Sequence, residues 1–202
     1  VDEESKPFVP PRELADFLAA GEKPVYIGFG SMVSGDMGEL AEIIRQAVKL
    51  SGVRAVVALG WGQQEAKTKD ANIFYVKSVP HDWLFPHMAG AVHHGGAGTT
   101  ATSLRHALPT LVVPFGGDQP FWAERVYAAG CGPKAIPRDK LTAENLAEGL
   151  RALISNPEYT RNAARIGEAL RNEHGCANAA DLIEKAVWDW ENGNPAQDGM
   201  NI

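Results

Sequence analysis

Short apolar runs alternate with stretches of helical periodicity along most of this chain, and most of the runs end in a turn rich in glycine or proline. Val25-Tyr26-Ile27-Gly28-Phe29 leads into Gly30-Ser31 and then into Glu39 to Leu50. There apolar residues stand at 40, 43, 44, 47, 48 and 50, the spacing of one helix face. The unit recurs. Arg54 to Leu59, Ile73 to Val76, Ala91 to His93 and Thr110 to Val113 read as strands, with Lys134 to Ile136 as a sixth. Runs this short and without polar alternation suit strands buried on both faces. Thr99 to His106 and Phe121 to Ala129 read as intervening helices. From Ala143 the chain is helical, with segments to Ile154, from Glu158 to Asn172 and from Ala177 to Trp190. The predicted class is α/β: a Rossmann-like parallel sheet of about six strands, right-handed crossovers and helices on both faces.

A length of 202 residues suits one domain of this kind. Residues 1–23 are charged and carry Pro7, Pro10 and Pro11, so they read as a linker, with a short helix from Arg12 to Ala20. Residues 24–190 form the domain, and 191–202 a disordered tail. The first residue is not Met, and the chain reads as a fragment of a longer one. A formal charge of −6 excludes a binder that works by neutralising nucleic-acid phosphates. Cys131 and Cys176 are too few and too far apart for a disulfide scaffold or a metal motif, and both are expected to be buried, reduced thiols of a cytosolic protein. No stretch approaches the ~20 apolar residues that span a bilayer.

Ligands of such sheets bind beyond the carboxyl ends of the strands. The glycine, histidine and tryptophan clusters of this chain fall there. The loop His94-Gly95-Gly96-Ala97-Gly98-Thr99-Thr100 leaves backbone N–H groups uncovered at a helix expected to start near Thr99. Free amides, a helix dipole, hydroxyls and an imidazole make an anion site. The plain alternative is a tight turn whose glycines serve packing. Gly30-Ser31-Met32 is a second, weaker phosphate loop. GxGxxG fails because Val33 stands where a glycine belongs, and no GxxxxGK[ST] occurs. Asp118-Gln119 either hydrogen-bonds sugar hydroxyls or caps the helix after Pro120; both readings stand. His81, His87, His93 and His94 match no zinc spacing, and His93 is expected to face the sheet interior or its far side. Trp61 either platforms a base or packs, and Trp83-Leu84-Phe85 packs a short segment onto the sheet. Trp188 and Trp190 lean to opposite faces of the last helix, packing on this domain or on another.

The segment from Ser78 to Gly132, with Val79-Pro80-His81, His94-Gly95-Gly96-Ala97-Gly98-Thr99 and Pro114-Phe115-Gly116-Gly117-Asp118-Gln119-Pro120-Phe121-Trp122 in that order, resembles the donor-binding half of two-Rossmann-domain (GT-B) glycosyltransferases. It is most similar to sterol 3-beta-glucosyltransferases. The resemblance implies an inverting transfer of glucose from UDP-glucose to a sterol 3-hydroxyl, with no metal or other cofactor. His94 and the backbone of Ala97, Gly98 and Thr99 would hold the diphosphate, with Ser31 on one phosphate. Val79 and His81 would receive the uracil, and Asp118 and Gln119 the glucose hydroxyls. Plant relatives carry a Trp and a Gln at the base and a Glu at the ribose, where this chain has Ser78, His81 and Thr102. The resemblance puts the general base and the sterol pocket on a missing N-terminal, acceptor-binding domain, so that the chain alone is inactive. The alternative is a stand-alone nucleotide-sugar-binding subunit of a two-component transferase. The expected location is cytoplasmic, with a membrane surface open to a full-length enzyme that uses a sterol.

Overall fold

The strand that carries Tyr26 lies in the middle of the sheet. In the computed structural model, which describes residues 8–30, 37–58 and 70–192, β1 (Val25–Gly28) pairs with β2 (Ala55–Ala58) on one side and β4 (Gly90–His93) on the other. Beyond them lie β3 (Ile73–Val76) and β5 (Thr110–Val112), giving the order β3-β2-β1-β4-β5. Every pairing is parallel. The chain winds outward from β1 to β3, then returns to the other side of β1, so the direction of winding reverses between β1 and β4. A crevice opens at such a switch point, beyond the carboxyl ends of the strands. Gly28 pairs with His93, so β1 and β4 end side by side at its floor.

Side chains alternate across the sheet and build a core on each face. Val25, Ile27, Val57 and Val92 meet Leu40, Ile44 and Val48 of α2 (Met37–Ser51) and Leu146, Leu150 and Leu153 of α6 (Ala143–Ser155). A fully buried Leu or Ile is worth about 1.5–3 kcal/mol, so these two helices fasten one face. Tyr26, Val56, Val76 and Ala91 point the other way, onto Leu14 of α1 (Arg12–Ala19), Leu84 of α3 (His81–Leu84) and Phe85 of the 3-10 turn that follows it. A third cluster joins Leu104 of α4 (Ala97–Arg105), Val126 of α5 (Gln119–Ala128) and Ala163 of α7 (Pro157–Arg171) to Val112. At the start of α6 the Thr142 hydroxyl accepts from Asn145 N–H while Asn145 Oδ1 accepts from Thr142 N–H. This reciprocal cap is worth about 1 kcal/mol.

Four expectations need correction. Among the described residues the sheet has five strands, and 134–136 is not a sixth. Ile136 N–H donates to Val112 C=O and Thr110 N–H to Cys131 C=O, but Pro133 and Pro137 lack donors, so the segment skirts β5 without forming a ladder. The stretch read as a linker includes α1, whose Leu14 is fully buried, and that part belongs to the domain. Cys131 is buried as expected, whereas Cys176 is exposed. The helix after the glycine loop begins at Ala97, not near Thr99.

Residues 1–170 and 171–202 form two compact units. In the second, α8 (Gly175–Glu191) exposes Leu182, Ile183, Val187, Trp188 and Trp190. The tail from 193 lies outside the described residues. Among those described, no helix is long and apolar enough to cross a membrane.

Candidate functional site

β4 ends at His93, and the next residue, His94, parts company with it. His93 turns into the core and is fully buried. Its Nδ1 accepts the N–H of Gly95 at 3.0 Å. Its Nε2 has no partner among the described residues. Burial, with the nearby imidazoles adding to it, pushes its pKa down to about 3, so the ring is neutral and the Gly95 bond assigns its proton to Nε2. That bond holds Gly95 at φ +91°, where a Cβ would also fall 2.6 Å from Val112 Cγ1. Only glycine meets both demands.

His94 is half-buried at the crevice. A Cβ on Gly96 would stand 2.6 Å from its Nε2, and one on Gly30 would stand 3.4 Å from its Cε1. The imidazole therefore occupies room that the two glycines leave. Burial draws its pKa below the ordinary value and the charge of Asp118 works against that. Its Nδ1 is buried without a partner among the described residues.

Beside it, α4 opens with free donors. The first backbone bond runs from Thr100 N–H to Gly96 C=O, and no side chain caps the end. The amides of Ala97, Gly98 and Thr99 are the helix's orphan donors. Thr100 and Thr102 spend their hydroxyls on the carbonyls of Gly96 and Gly98, so of the paired threonines only Thr99 keeps a hydroxyl for a ligand. Thr102 is thereby also committed inside the helix. Ser31 and Trp61 lie outside the described residues; Gly30 before Ser31 is left-handed, at φ +63°.

A cavity of about 450 Å³ adjoins this corner, lined by Tyr26, Gly30, Ser78, Val79, Pro80 and His81 among others. Gly30 borders both the cavity and the His94 ring. Neither the N–H nor the C=O of Val79 has a hydrogen-bond partner among the described residues, so the segment offers one donor and one acceptor. His81 starts α3 and its Nε2 lies 3.1 Å from the Tyr26 hydroxyl. Its pKa is lowered chiefly by burial and in part by His106, with Asp82 opposing.

The fifth loop treats its two expected residues differently. Gln119 is buried, and its Oε1 accepts from Phe115 N–H at 2.7 Å and Gly116 N–H at 3.2 Å. Its oxygen braces the loop. Asp118 is exposed at the start of α5, does not cap it, and accepts the indole N–H of Trp122 on Oδ2 at 2.9 Å. Tyr26, His93 and Trp122 were not singled out as site residues from sequence. Tyr26 had one signal: it stands two places before Gly28, on the same face of its strand. Among the described residues no three His, Cys, Asp or Glu side chains gather as metal ligands would.

The winding reversal, the open amides at α4 and the adjoining cavity share one crevice beyond the carboxyl ends of the strands. Residues 25–184 match the erythromycin biosynthesis protein CIII-like C-terminal domain, and the chain belongs to that family. It is 41% identical over 179 residues to sterol 3-beta-glucosyltransferase UGT80A2 of Arabidopsis thaliana, with 88% of this chain and 28% of the relative covered. It is 40% identical over 196 residues to a sterol 3-beta-glucosyltransferase of Cryptococcus neoformans, covering 88% of this chain and 12% of that one. The chain thus spans less than a third of the length of these relatives. Among solved structures, the glycosyltransferase VinC in complex with dTDP superposes with a TM-score of 0.66 at 28% identity, over 82% of this chain and 41% of that one.

Proposed function

We propose that this chain is the UDP-glucose-binding half of an inverting sterol glucosyltransferase. The observation that carries the reading is the meeting of three amides, at Ala97, Gly98 and Thr99, with the His94 imidazole, all without partners among the described residues. Phosphate oxygens supply what each of them lacks: acceptors for the N–H groups and a charge that draws a proton onto His94. The cavity that shares Gly30 takes the base, and the Val79 amide and carbonyl match the imide edge of uracil. Asp118, turned outward, accepts from glucose hydroxyls; Gln119 contributes through its NH₂ alone. The similarity to two sterol glucosyltransferases supports the sterol as acceptor.

In the reaction the sterol 3-oxygen attacks the anomeric carbon as the carbon–oxygen bond to UDP breaks on the opposite face, and a base takes the hydroxyl proton. Charge grows on the departing diphosphate. His94 and the α4 amides stand ready for it, which is preorganised electrostatic catalysis without a metal ion. In this reading the base and the acceptor pocket belong to a separate N-terminal domain, and these 202 residues bind the donor without transferring it.

Calorimetry with UDP, UDP-glucose and ADP-glucose tests this. Binding of the two uridine nucleotides, unchanged by a chelator, is expected. No heat with any nucleotide, a strict need for a divalent cation, or a robust sterol glucosylation rate from these 202 residues would overturn it.

A further inference from the structure

Tyr26 is a polar side chain led through a core. Its ring is 6% exposed and runs along the sheet toward the crevice, over the next residue on the same face. That residue is Gly28, where a Cβ would fall 2.5 Å from Tyr26 Cζ. The missing methyl is therefore the space through which the hydroxyl reaches the base cavity. There it meets His81 Nε2 at 3.1 Å. The imidazole is pinned from a second direction by Phe85, stacked on it with centroids 4.5 Å apart and planes 16° off parallel. Tyr26 packs edge-on against both rings.

The proton inventory of this pair is short. Burial pushes the Tyr26 pKa up to about 12, so the phenol keeps its hydrogen. Among the described residues its hydrogen-bond partner is His81 Nε2. If the hydrogen goes there, Nε2 is the acceptor and the neutral imidazole carries its proton on Nδ1. His81 Nδ1 has no partner among the described residues and is not enclosed, and His81 lines the cavity. Its N–H is then a fixed donor at the cavity wall.

We propose that the Tyr26 hydroxyl is the device that sets base selectivity: by holding His81 with its proton on Nδ1, it favours a nucleobase with a carbonyl oxygen at that edge over one with an amino group. Uracil is accepted and cytosine refused, because an amino group would bring donor against donor. The inference rests on the reading that the nucleotide base enters this cavity. Tyr26 acts as a positioning residue, through His81.

Calorimetry on the whole chain and on Tyr26→Phe, with UDP, CDP and inorganic pyrophosphate, tests it. The intact chain should prefer UDP to CDP by about tenfold or more, the penalty of one buried mismatched donor. Tyr26→Phe should bring the two nucleotides to within about threefold while leaving pyrophosphate binding unchanged. An undiminished preference in Tyr26→Phe overturns the inference and leaves the base-cavity reading standing. UDP binding no tighter than pyrophosphate in the intact chain sinks that reading, and the inference with it. A long-range ¹H–¹⁵N spectrum of the intact chain tests the pair without any variant: the His81 ring should show the Nδ1–H form, and the Nε2–H form would overturn the proposal.

Discussion

Two glycine loops leave the sheet side by side, one from β4 and one from β5, and they handle their backbone donors in opposite ways. In the β4 loop the N–H groups of Ala97, Gly98 and Thr99 have no partners among the described residues, and His94 stands next to them. In the β5 loop the N–H groups of Phe115 and Gly116 are consumed by Gln119 Oε1, and Asp118 is tied to Trp122. The first loop is short of negative charge. The second spends two of its amides on its own glutamine and presents a carboxylate. Glycine content is similar in the two, with Gly95, Gly96 and Gly98 against Gly116 and Gly117, so the fate of the donors separates a loop with open amides from a braced one.

The contrast can be broken most forcefully at the glycines. Gly95→Ala places a methyl against Val112 at φ +91° and should cost about 3 kcal/mol or more in urea unfolding, with loss of UDP binding. Gly117→Ala also sits at positive φ, +62°, but meets nothing within 4 Å. It should cost only about 1–2 kcal/mol. Equal losses at the two positions would remove the distinction between the loops.

Next comes His94→Ala, expected to weaken UDP by about 1.5–3 kcal/mol in calorimetry with the fold intact. Burial keeps the free His94 pKa low, and a bound diphosphate raises it. Binding therefore takes up a proton, and the affinity for UDP should climb as pH falls from 8 toward 6. His94→Ala should flatten that part of the profile; an unchanged slope would take the imidazole off the phosphate.

His93 makes its contribution to stability. Its folded pKa of about 3 lies below the ordinary 6.5, so between those values the unfolded chain binds a proton that the folded chain refuses. Stability is complete above pH 6.5 and falls as pH drops, by about 2 kcal/mol at pH 5 from this residue. His93→Asn keeps an acceptor for Gly95 N–H and should flatten the acid limb in denaturation series at pH 7, 6 and 5. The smallest effect is expected at Asp118. Asp118→Ala should weaken UDP-glucose by about 1 kcal/mol and leave UDP nearly unaffected. Equal losses for both ligands would move Asp118 off the sugar.

Much of the fold is legible in the sequence. Val25 to Gly28, Ile73 to Val76 and the periodic run through α2 declare themselves because side-chain spacing is a local property, and the motifs at Val79, His94 and Asp118 are short contiguous words. The errors fell where pairing decides. The segment 134–136 has a strand's composition, but a ladder needs a partner with donors in register, and the flanking prolines remove them. Thr100 reads as a ligand donor until its hydroxyl is seen on Gly96 C=O.

By itself the sequence determined the alternating class of the fold and the order of the loops along the chain, since propensity and turn chemistry act over a few neighbours. Tertiary structure alone decided the strand order that brings Gly30 beside His94, the inward turn of Gln119, and the pairing of Tyr26 with His81 across 55 positions. Those contacts join residues whose separation along the chain carries no trace of their meeting. Packing of helices on both faces of the sheet selects them.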